Sequence, residues 1–297
     1  MASTVTSTSQ TSLARAVADH VSDGDTIFLG GFGHAVPSAA VHELIRQRRR
    51  HLTLVRSGCD ILVDLLIARG CLDRVVFGWI GNPGFGLAHA FRRALKAGEI
   101  EIEEWTNFSL VLRLEAARLG VPFLPSRVLQ AGDMRSALPE VADVTCPYTG
   151  ELLTAVPALE PDVAIVHAQR ADAAGNLQLW GIRGDTVTGA LAAKRVIATV
   201  EEIVESDVIL DDPNLTIVPG HRVAAVVEVP FGAHPSYVDG YYTRDDRHYR
   251  DYDRIARDPQ QLEAYLERWV DACDTREAYL AEAPTHELTW TGRTHGA

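Results

Sequence analysis

The chain has 297 residues, 46% of them hydrophobic and 23% charged, and its 28 Lys and Arg stand against 40 Asp and Glu for a formal net charge of −12. A chain of this length buries a full core without disulfides or metals, which excludes the small stapled scaffolds. The acidic surplus argues against a general nucleic-acid binder or a partner for anionic membranes, so any anionic ligand must be met by local groups.

In chain order, 1–11 lacks the basic start and apolar stretch of a signal peptide and reads as a flexible polar tail. Ser12 then caps a helix with Leu13, Val17 and Val21 at four-residue spacing, closed by Gly24. The period changes at Thr26-Ile27-Phe28-Leu29, a short apolar strand that ends in Gly30-Gly31, and 37–45 is a helix with proline in its first turn. Strands at 52–55, 75–77 and 100–103 alternate with helices at 60–68, 87–97 and 108–119. The charge-free stretch 75–91 carries Gly78, Gly81, Asn82, Pro83, Gly84 and Gly86, too many breaks for a membrane span of about 20 apolar residues. Residues 130–161 are richer in Pro and Gly and mark an excursion, after which strands resume at 163–166, 196–198 and 223–229. From 245 the composition is helical. The expected fold is α/β: an open, mostly parallel sheet covered by helices on both faces, with a helical C-terminal cap. One domain is expected over 12–283, with the cap at 245–283 and a tail at 284–297.

Gly30-Gly31-Phe32-Gly33 lies between a strand and a helix, where backbone N–H groups can receive a phosphate or an oxyanion; equally, the glycines can simply make a tight turn. The run is neither a Walker A loop nor GxGxxG. His34 follows the turn and His234 sits in a loop after a strand, so each either lines a cleft or is a hydrogen-bonded structural residue. Alternation places Glu99, Glu101 and Glu103 on a solvated face and Glu104 on the opposite one beside Trp105. There Glu104 acts as acid or base, caps the next helix, or pairs with an arginine. No HExxH, no ligand-like His/Asp/Glu spacing and no GxSxG elbow occurs, and Cys59, Cys71, Cys146 and Cys273 form no CxxC pair. No metal and no disulfide is expected, and the cysteines suit a reducing, cytoplasmic compartment.

The residues Asp23-Gly24-Asp25-Thr26-Ile27-Phe28-Leu29-Gly30-Gly31-Phe32 resemble the N-terminal signature of class I CoA-transferases, A-type (alpha) chains. Pro122-Phe123-Leu124-Pro125, Asp162-Val163-Ala164-Ile165-Val166-His167-Ala168-Gln169, Gly175 with Trp180-Gly181, and Pro230-Phe231-Gly232-Ala233-His234-Pro235-Ser236 extend the resemblance, most closely to the glutaconate branch, over 12–283. The run Gly33-His34-Ala35-Val36-Pro37 departs from it, lacking a second glycine and the basic residues before the proline.

The resemblance implies a heteromer, an αβ pair assembling further, in which a glutamate of the B-type (beta) partner attacks the acyl-CoA, carries CoA as a thioester and passes it to a carboxylate. Coenzyme A would be substrate rather than a resident cofactor. This chain would complete the pocket, with Gly30, Gly31, Phe32 and Gly33 as backbone donors and His34, Asn82, Gln130, Gly132, Gly232 and His234 around the acyl group. A related branch, which opens a steroid ring on a CoA thioester, implies an acidic catalytic residue in the segment matching Glu103-Glu104-Trp105, and Glu104 is the candidate. A non-catalytic scaffold role is the third possibility.

Overall fold

The computed structural model describes residues 9–130, 133–138 and 141–289. After strand β1 (Ser9–Gln10), helix α1 (Leu13–His20) begins at Ser12, whose hydroxyl accepts the Arg15 N–H at 3.2 Å. Strand β2 (Thr26–Leu29) and helix α2 (Ser38–Arg46) flank the glycine turn. The alternation continues as β3 (Leu52–Cys59), α3 (Ile61–Ala68), β4 (Leu72–Ile80), α4 (His89–Ala97), β5 (Glu101–Glu104) and α5 (Asn107–Leu119). Asp60 caps α3 by accepting the Leu62 N–H at 3.0 Å, and Thr106 and Ser109 form a reciprocal capping box on α5. Each such cap is worth about 1 kcal/mol.

Strands β6 (Phe123–Ser126), β7 (Ala142–Thr145) and β8 (Leu152–Pro157) form a separate antiparallel sheet in the order β6-β8-β7; β7 and β8 lie within 130–161, and β6 precedes it. The chain then returns through β9 (Val163–Asp172), a hairpin to β10 (Leu177–Gln178), α6 (Thr186–Ala192), β11 (Arg195–Val204), α7 (Ser206–Asp211), β12 (Thr216–Val218) and β13 (Val223–Glu228). Helices α8 (Asp246–Ala256), α9 (Pro259–Leu266), α10 (Arg276–Glu282) and α11 (Thr285–Leu288) follow.

The large sheet runs β1-β13-β11-β9-β2-β3-β4-β5, every neighbouring pair parallel, with β10 antiparallel to β9 and β12 beside it. From central β2 the chain builds outward through β3, β4 and β5, then re-enters on the other side with β9, β11 and β13. The strand order therefore reverses between β2 and β9. A crevice opens outside the carboxyl ends of the strands at such a point, and open α/β sheets bind their ligands there.

Both faces of the sheet are covered. Ile27 and Leu29 of β2 point into a core shared with α2, α3, α4 and the C-terminal residues Tyr249, Tyr252 and Leu266. Phe28 points the opposite way, into a core with Trp105, Leu110, Leu114 and Ala190. Burial of each such large side chain stabilises by about 1.5–3 kcal/mol, which is why these strands read as continuous apolar runs.

Two boundaries differ from expectation. Ser9 and Gln10, placed in the polar tail, pair with Ala225 and Val226, because the edge of β13 offers backbone groups for a further strand. The expected C-terminal tail begins with a helix: Leu288 of α11 is buried against Val238 and Tyr242. No helix among the described residues is long and apolar enough to cross a membrane.

Candidate active site

The glycine turn lies at the β2–β9 crevice, and most of its polar groups are already used to hold it there. Gly30 donates its N–H to Ile165 O at 2.9 Å, which ties the end of β2 to β9. Gly31, at φ +87, donates to Thr186 Oγ1 at 2.8 Å and accepts from Arg56 Nη2 at 2.8 Å. Phe32 donates to His34 O at 3.2 Å. The expected cradle of backbone donors therefore shrinks to Gly33, whose N–H has no acceptor among the described residues. Its carbonyl is held by Ser236 Oγ at 2.9 Å.

Gly33 opens onto a cleft of about 390 Å³ lined by Phe32, Gly58, Asp60, Trp79, Pro83, Gly84 and Asn107. Phe32 fits a slot made by two glycines: a Cβ on Gly58 would lie 2.6 Å from its ring, and one on Gly184 would lie 2.6 Å from its Cβ. Beneath the cleft Arg56 is fully buried, and its Nη2 lies 2.9 Å from Asp60 Oδ2. Burial works against the Arg56 cation, but Asp60 and Asp185 more than offset it and raise its pKa. Asp60 is the one carboxylate among the residues lining the cleft, and it is committed twice, to Arg56 and to the α3 cap.

His34 corrects an expectation. It is fully buried; Nδ1 donates to Ile182 O at 2.9 Å, which leaves Nε2 to accept the Asp239 N–H at 3.1 Å. Both ring nitrogens are spent on the backbone, and the ring holds the turn. His234 is buried too, between Tyr279 and Asp245 under the C-terminal helices, and lines no part of the cleft. Asn82 lies in the β4–α4 loop, next to Pro83 of the cleft wall, and donates Nδ2 to Tyr249 O at 2.9 Å. Gly232 packs so closely on His167 that a Cβ would come within 2.6 Å of the ring. Gln130 is exposed and donates to the Leu152 carbonyl of the small sheet, while Gly132 lies outside the described residues.

The glutamates invert the expected faces. Glu103 is the carboxylate drawn in beside Trp105, accepting its Nε1–H at 2.6 Å together with donors from Arg74 and Arg113. Glu104 is exposed and lines a different cavity, with Arg74, Ile102, Trp105 and Leu138. The reason is α5, which lays Arg113 over the Trp105 ring at 4.5 Å and, with Arg74 of β4, gives the Glu103 face its cations. Sequence reasoning missed Arg56, Asp60, Trp79 and Asn107. A charged residue inside the apolar run Leu52-Thr53-Leu54-Val55-Arg56, near the carboxyl end of a buried strand, was the signal for the first of them.

The parallel α/β sheet carries a glycine turn at its reversal point, beside a cleft whose one lining carboxylate is already paired with an arginine. The chain belongs to the coenzyme A transferase family, whose profile matches residues 10–229. The A-type chain of a 3-oxoadipate CoA-transferase from Pseudomonas knackmussii is 44% identical over 262 residues, 87% of this chain and 92% of that protein. The crystal structure of glutaconate coenzyme A-transferase from Acidaminococcus fermentans matches with a TM-score of 0.89 at 31% identity, covering 95% of each chain. A cholesterol ring-cleaving hydrolase IpdA subunit of Rhodococcus jostii is 32% identical over 263 residues, 84% of this chain and 88% of that one. The chain is a CoA-transferase component of the A type.

Proposed function

We propose that this chain is the A-type component of a heteromeric CoA-transferase that moves CoA from an acyl-CoA to a carboxylate, with the nucleophilic glutamate on a B-type partner. The observation that carries the reading is the cleft beside Gly33: it offers a backbone N–H with no acceptor among the described residues and aromatic walls, and its only carboxylate is tied to Arg56. A nucleophile must be free to attack, so covalent catalysis needs a carboxylate from outside the chain. The Gly33 N–H supports the thioester carbonyl as negative charge builds on its oxygen. Phe32 and Trp79, both exposed at the cleft, cover the acyl portion.

The ring-cleaving hydrolase is the second reading, favoured by the 32% identity to a component of such an enzyme. It asks Glu104 to act as acid or base, and Glu104 lines a cavity that shares no residue with the Gly33 cleft. One experiment separates the two. The chain is co-purified with its B-type partner and incubated with acyl-CoA alone, and both chains are weighed by intact mass spectrometry. Transfer leaves a CoA adduct on the partner and none on this chain. A cyclic acyl-CoA that gains one water and keeps its CoA, without any adduct on either chain, supports ring-cleaving hydrolysis. Turnover by the isolated chain would overturn the shared-site reading.

A further inference from the structure

We propose that His234, Asp245 and His248 form a site for one divalent cation of the zinc type, which ties the C-terminal helices to the loop that holds the glycine turn. The three residues come from two segments: His234 from the loop after β13, Asp245 and His248 from the cap and first turn of α8. All are buried, and one ligand atom from each lies within 4.8 Å of the other two.

The hydrogen bonds around them have the pattern of ligands held by an outer shell. The Tyr279 hydroxyl lies 2.7 Å from His234 Nδ1 and also reaches the His234 carbonyl at 3.4 Å. In the tautomer protonated at Nδ1, Nε2 turns its lone pair toward Asp245 Oδ2, 3.2 Å away. In that form the two acceptors face each other in a buried space, and a cation fits between them. His248 repeats the arrangement: Nε2 bonds the Tyr265 hydroxyl at 2.7 Å, and Nδ1 has no partner among the described residues. Imidazoles that engage a second partner through the outer nitrogen are typical of metal ligands, because the outer bond orients the ring and selects the tautomer.

Charge points the same way. Asp245 has no Lys or Arg within 4.0 Å among the described residues, and its Oδ1 is used by the His248 N–H at 2.8 Å. Two imidazoles and one carboxylate are a donor set that zinc accepts, with a fourth position left for water. No short window of sequence hints at it, because ten residues separate His234 from Asp245; the fold, not the spacing, brings them together. Two residues beyond His234, Ser236 holds the Gly33 carbonyl, so an ion here would steady the cleft from behind.

The test uses the full chain with its B-type partner, stripped with a chelator, dialysed against zinc sulfate and measured by elemental analysis and thermal unfolding. One zinc per copy of this chain is expected, with a rise in Tm on adding the metal. Asp245→Asn keeps the helix cap but removes the anionic ligand, and it should lose both the stoichiometric zinc and the Tm response. Tyr265→Phe should weaken zinc binding by about 10–100-fold. Two outcomes overturn the site: wild-type protein that takes up no zinc, which assigns the bridging position to a proton, or an Asp245→Asn variant that binds zinc as tightly as the parent. Should Asp245→Asn fail to fold, the wild-type stoichiometry and Tyr265→Phe decide.

Discussion

Arg56 Nη2 donates to the carbonyl of Gly31 across 2.8 Å, and the same nitrogen lies 2.9 Å from Asp60. One buried cation thus fixes the orientation of the glycine turn and neutralises the one carboxylate in the cleft wall. Replacing Arg56 by Met should cost about 3–5 kcal/mol in urea unfolding, because it strands a buried charge. Adding Asp60→Asn should recover part of that loss. A double variant as unstable as the sum of the two singles would show that the residues are not coupled.

Substitutions in the turn should separate fold from chemistry. A Cβ on Gly31 would lie 2.7 Å from Ala35 O and Val36 Cα, both backbone atoms, so Gly31→Val should misfold before it reports on substrate entry. At Gly33 the space is open, although φ is +68. Gly33→Ala should fold at a cost of about 1–2 kcal/mol and retain the N–H, lowering kcat/KM only modestly. Soluble, active Gly31→Val would contradict the packing described for the turn.

The two adjacent glutamates should behave oppositely. Glu104→Gln, at an exposed position outside the Gly33 cleft, should leave the transferase rate of the reconstituted pair within about twofold and stability within about 0.5 kcal/mol. Glu103→Gln removes the charge that Arg74 and Arg113 share and leaves one acceptor oxygen where two served Arg74, Arg113 and Trp105, and should destabilise by about 3 kcal/mol or more. A large kinetic loss with unchanged stability for Glu104→Gln would return the acid/base role to that residue.

Acid should loosen the turn through His34. Burial pushes its pKa below the ordinary 6.5, against the raising effects of the Ile182 carbonyl and Asp239, while His167 adds to the lowering. The unfolded chain therefore takes up this proton at a higher pH than the folded one. Stability present at neutral pH is lost as pH falls below about 6.5, by up to about 1.4 kcal/mol per pH unit for one proton. Tm measured from pH 7.5 down to 5 should fall, and His34→Gln should flatten part of that slope. An identical slope in the variant would mean that His34 does not carry the effect.

The sheet and the turn were legible in the sequence because both rest on local rules. Buried parallel strands are apolar on both faces, as β2 and the first half of β9, 163–166, are, and a turn at φ +87 demands glycine at 31. Direction was less legible at the edge of the sheet. Alternation says that Glu103 and Glu104 face opposite ways, but α5, packed through Arg113, decides which way is inward. His34 read as a cleft residue since its partners, Ile182 and Asp239, are about 150 and 200 positions away. Arg56 was obscured for the same reason: its value lies in where Gly31 and Asp185 arrive, and no short window contains them.

The reversal of strand order between β2 and β9 also sets when the cleft can exist during synthesis. Strands β2 to β5 and their helices can emerge and pack in order from the ribosome, yet β1 waits for β13, the Gly30 N–H for Ile165, the Gly31 N–H for Thr186 and the Gly33 carbonyl for Ser236. A nascent or truncated chain ending before the small antiparallel sheet would hold half of a sheet with an unclosed central edge. Functional maturity therefore arrives late and all at once, and incomplete chains are exposed to strand-pairing errors at β2 rather than to stray thioester chemistry.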